Sequence, residues 1–336
     1  MKQTPTVSIA LCTHNGGQFL SEQLKSILYQ TLQPNEIIIC DDDSSDNTLE
    51  TIQQFSELLP IKLYQNTPVL GTIKNFEYAV SLCSNEIIFL CDQDDYWLHH
   101  KIETLVNFLD KNTCQEVVFS NAVIVDDELQ DLQITMWEKV RFWEGEIEEW
   151  KAGKALDLLL TGNRVTGCTV AMRKSFAKKS RPFPTNIHPN FIHDGWIGIL
   201  ASVSNQIGFV TEPLVLYRQH EQQQVGIVEK EREKVYIHSR FLRPRDLKLS
   251  PFIEKSNLYY NLLNHISINY PELVDGTKPL KRISQHYQLR SNLSKNRLKR
   301  VLPIFKNLYL GNYHRYKNLG SNWYGVYLAV LGDLLE

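Results

Sequence analysis

The N-terminal third of the chain alternates short runs of β-branched and aromatic residues with amphipathic segments, and this rhythm confines it to a sheet of strands joined by helical crossovers. Val7 to Cys12, Glu36 to Cys40, Ile61 to Tyr64, Ile87 to Leu90 and Val117 to Phe119 read as strands. Between them Phe19, Leu20, Leu24, Ile27 and Leu28, then Leu49, Ile52 and Phe55, then Ile73, Phe76 and Val80, then Ile102, Leu105 and Phe108 recur at helical spacing. Such an order predicts an α/β fold with a mostly parallel, doubly wound sheet and helices on both faces, whose ligands bind beyond the carboxyl ends of the strands. Thr13-His14-Asn15, Asp41-Asp42-Asp43 and Asp92-Gln93-Asp94-Asp95 each follow a strand directly. Three polar clusters are thereby expected on one edge of the sheet.

The densest cluster closes the stretch Asn85 to Trp97. Asp92, Asp94 and Asp95 repel one another at the end of a buried strand unless a cation sits among them, and hard divalent ions such as Mg²⁺ and Mn²⁺ prefer oxygen ligands. Mg²⁺ takes one or two protein carboxylates and completes its shell with water and substrate phosphates, which points to a metal-held diphosphate. A capped loop, with Asp94 or Asp95 opening the next helix, satisfies the same residues. In the same way Asp46 or Asn47 can cap the helix after the second strand, with Glu50 answering in a capping box.

Several classes are excluded or disfavoured. Thr-His-Asn-Gly-Gly after the first strand lacks the spacing of a dinucleotide-binding turn, and no Walker A loop occurs. At 336 residues, 43% hydrophobic and 22% charged, the chain can build a sizeable core and is not disordered. Its six cysteines have no paired metal-ligand spacing and read as buried thiols of a reducing compartment. With neither an apolar leader nor a membrane-spanning run, the expected location is the cytoplasm.

The ordered set Val-Ser-Ile-Ala-Leu-Cys-Thr-His-Asn-Gly-Gly, Ile-Ile-Ile-Cys-Asp-Asp-Asp-Ser-Ser-Asp-Asn-Thr and Phe-Leu-Cys-Asp-Gln-Asp-Asp-Tyr-Trp resembles the family 2 glycosyltransferases with the GT-A fold. Downstream, Thr166-Gly167-Cys168-Thr169, His193-Asp194-Gly195-Trp196 and Tyr217-Arg218-Gln219-His220 are similar to the branch containing bacterial rhamnosyltransferases of cell-surface polysaccharide synthesis. The resemblance spans about residues 5 to 226. It implies a GT-A domain over 1–226, and the residues beyond it read as a C-terminal basic, mainly helical region over 227–336.

Carried over residue by residue, the resemblance implies a metal-dependent inverting transfer from a dTDP- or UDP-sugar, rhamnose or another hexose, to a hydroxyl of a glycan or lipid-linked glycan in O-antigen, capsule or cell-wall synthesis. Thr13 and Asp42 would hold base and ribose, with Asn15, Lys74 and Asn75 completing the nucleotide side. Asp92 and Asp94 match the Asp-x-Asp motif, Asp94 as the direct Mn²⁺ or Mg²⁺ ligand and Asp92 toward ribose or metal-bound water, while Asp95 stands behind them or caps a helix. Asp194 matches the catalytic base, although an N-cap reading fits the same residues. Arg218 and His220 alternate past a strand at Leu214 to Tyr217 and would reach the diphosphate, His220 as a metal ligand and Arg218 as a charge clamp; a solvated loop is the other reading. Two departures stand out: His99-His100-Lys101 replaces a usual proline, and Asp43 stands where glycine is common. A nucleotidyltransferase would need a Gly- and Arg-rich loop after the first strand, and an inactive membrane-associated binding or scaffold subunit would have no use for Asp194.

Charge is divided unevenly. From residue 241 onward 15 Lys and Arg face 6 Asp and Glu, whereas residues 1 to 240 hold 21 against 32. Past residue 227 strand signals give way to helical patterns at Tyr236, Ile237 and Phe241, then Phe252, Leu258, Leu262 and Leu263. Between Lys281 and Lys317 there are ten basic residues and no acid, interleaved with Leu298, Val301, Leu302, Ile304, Phe305, Leu308 and Tyr309. No nucleic-acid signature accompanies them. They suit either a solvated face or an anionic membrane surface at the inner side of the plasma membrane.

Overall fold

The computed structural model describes residues 4–221, 223, 244–317 and 324–335. The chain forms two compact units. Described residues of the first lie in 4–155, 163–185 and 189–223, and those of the second in 156–162, 186–188 and from 244 onward. The boundary expected at 226/227 falls outside the described residues. Two short segments within the first 200 positions nevertheless belong to the second unit, which no composition shift announces.

In the first unit the strands are β1 (Val7–Thr13), β2 (Glu36–Asp41), β3 (Ile61–Gln65), β4 (Ile87–Cys91), β5 (Tyr96–Trp97), β6 (Val117–Val125), β7 (Asp131–Thr135), β8 (Val170–Arg173) and β9 (Ile207–Arg218). They make one sheet in the order β3-β2-β1-β4-β8-β6-β9-β5, with β7 attached to β6. Helices α1 (Leu20–Leu28), α2 (Thr48–Phe55), α3 (Thr72–Leu82) and α4 (Lys101–Lys111) are the expected crossovers. Every residue of β2 and β4 is buried, as parallel strands covered on both faces require. β3 is the edge, and its side chains are half-buried or exposed.

The sheet is parallel from β3 to β4 and mixed beyond. β8 runs antiparallel between β4 and β6, and β9 is parallel to β6 but antiparallel to β5. A sequence of alternating strands and helices does not predict this, because β8 arrives from a helical excursion and β5 is only two residues long. β9 also extends well before its expected start at Leu214, with register shifts where it leaves β6 at Ser120 and Asn121.

The described part of the second unit after residue 243 is helical: Arg245–Asn269, Lys278–Ser291, Leu298–Tyr309, Asn312–Arg315 and Gly325–Leu335, with a 3-10 turn at Pro271–Thr277. Tyr259, Leu262, Ile266, Leu280, Ile283 and Tyr287 are buried, and a second cluster joins Leu293, Ile304, Tyr313, Val326 and Val330. The helical pattern expected at Tyr236, Ile237 and Phe241 lies outside the described residues. No helix among the described residues is long and apolar enough to cross a membrane.

Candidate active site

β1 is flanked by β2 and β4 in parallel register, so the loops after Thr13, Asp41 and Cys91 leave the sheet side by side. Thr13 Oγ1 donates to Asp41 Oδ1 at 2.7 Å, and Asp41 also accepts from the backbone N–H and hydroxyl of Ser44. Asp42 is buried. Its carboxylate accepts from Asn66 Nδ2 at 3.0 Å, Leu70 N at 2.7 Å and Gly71 N at 2.8 Å, while Asn75 Nδ2 donates to Cys40 O at 2.9 Å and Asn75 Oδ1 accepts from Asn66. Asp42 therefore folds the loop that leads into α3 around itself. Lys74, half-buried on α3, pairs with Glu77 at 2.7 Å.

Asn15 sits at φ 48° and accepts from Ser45 N, tying the first loop to the second. Asp43 adopts φ 63°, a conformation that suits glycine best and Asp or Asn next, so the turn keeps the shape a glycine would give it. The two glycines of the first loop serve close approach rather than phosphate wrapping: a Cβ on Gly16 would stand 2.3 Å from Gln93 Oε1, and one on Gly17 1.8 Å from Asn47 Oδ1. Gln93 itself clamps the loops after β1 and β4, accepting from His14 N at 2.8 Å and donating to His14 O at 3.1 Å. The capping box expected at α2 does not form. Asn47 makes no side-chain cap bond, and Asp46 instead accepts from Thr48 and from Gly17 N.

Neither Asp94 nor Asp95 caps a helix, because Tyr96–Trp97 pairs with β9 and α4 opens only at Lys101. That short pairing swings the end of β9 against the acids. Arg218 N donates to Asp95 Oδ1 at 3.2 Å and Arg218 Nε to Asp94 O at 2.8 Å, and His220 Nε2 lies 2.9 Å from Asp94 Oδ2. The Arg218 guanidinium is buried, 4.4 Å over the Phe19 ring, and also bonds Glu22 and Asp127 O. Its Nε, Nη1 and Nη2 thus each bond a group of the protein's own chain beside Asp94 and Asp95. The loop that departs from the family pattern is pinned too: His100 Nε2 meets Glu212 at 2.8 Å, and Thr31 N donates to His99 O.

Burial, then the charges of Asp95, Asp94 and Asp194, hold the Asp92 carboxyl well above the usual range. Burial and the charge of Asp94 raise Asp95 to about 7. Among the described residues the buried Asp95 Oδ2 accepts from no nitrogen or oxygen donor, and the Cys168 thiol faces that carboxyl. Ligand atoms of Asp92, Asp95 and Cys168 lie within 4.8 Å of one another. Crowded, under-neutralised carboxylates with an imidazole alongside are a donor set that fits a divalent cation. Besides Arg218, a buried cation beneath them is Lys101, which donates to Cys168 O at 2.5 Å and stands 3.3 Å over the Trp97 ring; burial brings its amine down to about 8.

Asp194 lies in the first turn of the helix His193–Val203 and is buried. Burial raises its carboxyl to about 6, against hydrogen bonds from Gly195, Gly167 and Asn163. The turn Gly167–Thr169 joins the two sides of the site. Gly167 lies against His193 and Asp194, and the next residue, Cys168, lies among the acids of the β4 loop. His193 stacks on Phe76 with ring centroids 4.1 Å apart, and neither ring nitrogen has a hydrogen-bond partner among the described residues; burial holds the imidazole neutral, at about 3.

Residues 8–179 match the family model "Glycosyl transferase family 2". The chain belongs to this family. A Haemophilus influenzae protein named as an uncharacterized glycosyltransferase is 24% identical over 91% of this chain and 92% of its own length. The dTDP-rhamnosyl transferase RfbG of Shigella flexneri is 29% identical over 64% of this chain and 73% of its own. Among solved structures, Staphylococcus aureus TarS 1-349 in complex with UDP-GlcNAc superposes with a TM-score of 0.53 at 15% identity, over 93% of this chain and 89% of that one. The protein is thus a glycosyltransferase of GT-A fold.

For a family 2 glycosyltransferase, the sequence motifs led to Asp42, the Asp92 to Asp95 cluster, Asp194 and His220. They contain Asp41, Gln93 and Cys168 and border Lys101 without assigning any of them a role, and they do not include Glu22. Gln93 and Lys101 lie within or beside the motif, but an amide that bridges two loops and a lysine turned inward carry no local signature. Glu22 is found only through its partner Arg218, far away in the chain.

Proposed function

We propose that this glycosyltransferase moves a hexose, foremost a deoxyhexose such as rhamnose, from a dTDP- or UDP-sugar to a hydroxyl of a lipid-linked glycan, with inversion, in the synthesis of a bacterial surface polysaccharide. The names of the relatives support the donor class: RfbG is a dTDP-rhamnosyl transferase, and TarS was crystallised with UDP-GlcNAc. The observation that carries the reading is the pair of acids joined by the Gly167-Cys168 turn, with Asp194 near enough to Asp92 to raise its proton affinity.

In this reading Asp194 takes the proton of the acceptor hydroxyl as that oxygen attacks the anomeric carbon. Its carboxyl, brought to about 6, is ionised near neutral pH yet far more basic than an exposed aspartate. His193, neutral and enclosed, shapes the wall beside the base. Thr13, Asn15, Asp42, Lys74 and Asn75 form the nucleotide side, with Asp42 fixing the loop before α3. Asp94, Asp92 and His220 would hold the metal, and Arg218 keeps Asp94 and Asp95 in place. A Mn²⁺ or Mg²⁺ bound there supplies positive charge against the departing diphosphate. The test is a panel of nucleotide sugars with a glycan acceptor, scored by released nucleotide with and without EDTA. Turnover of a dTDP- or UDP-deoxyhexose that EDTA abolishes supports the reading, and no turnover with any donor overturns it.

A further inference from the structure

The helix Leu298–Tyr309 has its polarity turned inside out. Its inner face carries Arg300 and Asn307 beside Ile304, all three buried. Arg300 donates to Ser294 O at 2.5 Å and to Asp333 O at 3.3 Å, while Asn307 bonds His286 at 2.7 Å and Asn312 at 2.6 Å. Its outer face shows Leu298, Leu302, Phe305 and Tyr309, residues three or four apart and therefore in one stripe, with exposures of 82%, 82%, 51% and 90%. Soluble helices arrange these two kinds of residue the other way round. The helix Gly325–Leu335, which packs against it through Ile304, Val326 and Val330, exposes Tyr327 and Leu331 as well.

We infer that this outer face is a docking surface for an anionic lipid bilayer, into which Leu298, Leu302, Phe305 and Tyr309 insert while the basic residues around them meet the headgroups. The charge pattern selects this occupant. Lys295, Arg297, Lys299 and Lys306 are all exposed, none forms an ion pair among the described residues, and no acid occurs between Lys281 and Lys317. A second copy meeting the same face would bring like charges together, whereas anionic lipid offers apolar depth and opposite charge at once. Leucine, phenylalanine and tyrosine in one stripe flanked by lysine form the face of an interfacial helix, with a tyrosine suited to the headgroup level. The basic residues alone would give a salt-sensitive attraction; the exposed stripe adds a component that salt does not screen. This inference does not rest on the sugar-transfer reading.

Sedimentation of the full chain with phosphatidylcholine vesicles, with and without phosphatidylglycerol, tests it. The wild type is expected to pellet with the anionic vesicles. The double variant Leu302→Ser, Tyr309→Ser should bind at least about tenfold more weakly, the scale of one leucine kept in water. The double variant Lys299→Gln, Lys306→Gln should lose the preference for anionic over neutral lipid. All four positions are exposed, so circular dichroism melts should match the wild type, and transfer to a soluble acceptor should be unchanged in both. Absence of wild-type binding to anionic vesicles overturns the inference, as does equal binding by the Leu302, Tyr309 variant. Dimerisation of the wild type in the ultracentrifuge that this variant abolishes, without vesicle binding, would assign the face to a second copy.

Discussion

His220 Nε2 lies 2.9 Å from Asp94 Oδ2 although 126 positions separate the two residues. A proton or a divalent cation can join an imidazole and a carboxylate at that spacing, and the neighbouring Asp92 and Asp95, both held above the usual carboxylate range, favour added positive charge. Mn²⁺ should therefore raise the melting temperature of the wild type through binding to the folded state. In Asp94→Ala and His220→Ala that rise should vanish together with metal-dependent nucleotide binding. Without metal, Asp94→Ala should melt no lower than the wild type, because one acid of a mutually repelling group is gone. An undiminished Mn²⁺ shift in either variant would remove that residue from the metal site.

Asp194→Asn should lower kcat by about 10²-fold or more while donor affinity changes little, since an amide keeps the size but takes no proton. In the wild type the rate should climb with pH through about 6 as the carboxyl ionises, and then level off. Stability runs the opposite way. A carboxyl raised in the folded state favours folding while it is protonated, and that contribution is lost as pH rises from the unfolded value toward about 6. At neutral pH the Asn variant should thus melt no lower than the wild type, and initial rates with thermal melts across pH check both signs. A parallel loss of donor binding would make Asp194 a structural residue.

The part of the site that could be read from the sequence is the part made by strand ends. β1, β2 and β4 carry apolar runs that stop at Thr13, Asp41 and Cys91, and parallel neighbours must deliver those stops to one edge. Asp194 was visible because a helix start follows a distinctive motif. Arg218 is expected from the sequence at the diphosphate or in a solvated loop, and its burial beside the acids is not legible, since it follows from the two-residue pairing of Tyr96 and Trp97 with Leu216 and Val215. The antiparallel insertion of β8 was hidden for the same reason: a register between distant segments leaves no periodicity in either. Lys101 shows a further limit, because a lysine at a helix start is ordinarily solvated, and its inward turn rests on the Cys168 carbonyl, distant in the chain, and the Trp97 ring.

Gly16 has a role that the motif alone does not define. A Cβ there would stand 2.3 Å from Oε1 and 2.5 Å from Cδ of Gln93, the side chain that holds His14 to the loop after β4. Gly16→Ala should fold, since the obstructing atoms are the far end of a flexible side chain, but it should displace Gln93 and loosen two loops of the site. The expected result is a rise in donor KM with a small change in melting temperature. Gln93→Ala should raise KM likewise, and adding it to Gly16→Ala should produce little further loss. Additive effects of the two changes would separate Gly16 from the clamp.

Glu36 stands at the start of β2, at the sheet edge opposite the site, and provides a stability probe that should leave chemistry alone. It is buried, with Oε1 accepting from Ser8 Oγ at 2.6 Å, Ser84 N at 2.5 Å and Ser84 Oγ at 2.8 Å, and Oε2 accepting from Lys62 Nζ at 2.8 Å. Burial pushes its carboxyl up, but the bonds from Lys62, Ser8 and Ser84 outweigh this and bring it down to about 2. Because the folded value lies below the unfolded one, the stabilisation is complete above about 4.5 and disappears as pH falls from there through about 2. Glu36→Gln should cost on the order of 2 kcal/mol at neutral pH, since an amide nitrogen replaces one accepting oxygen and faces donors. Lys62→Gln should cost less, because that amine is well exposed and water replaces it. Denaturant melts at pH 7 and pH 3 decide the matter: the gap between wild type and Glu36→Gln should narrow at the lower pH, and kcat of the folded variant should equal that of the wild type. A gap that is constant with pH would mean that the loss comes from packing rather than from the charge.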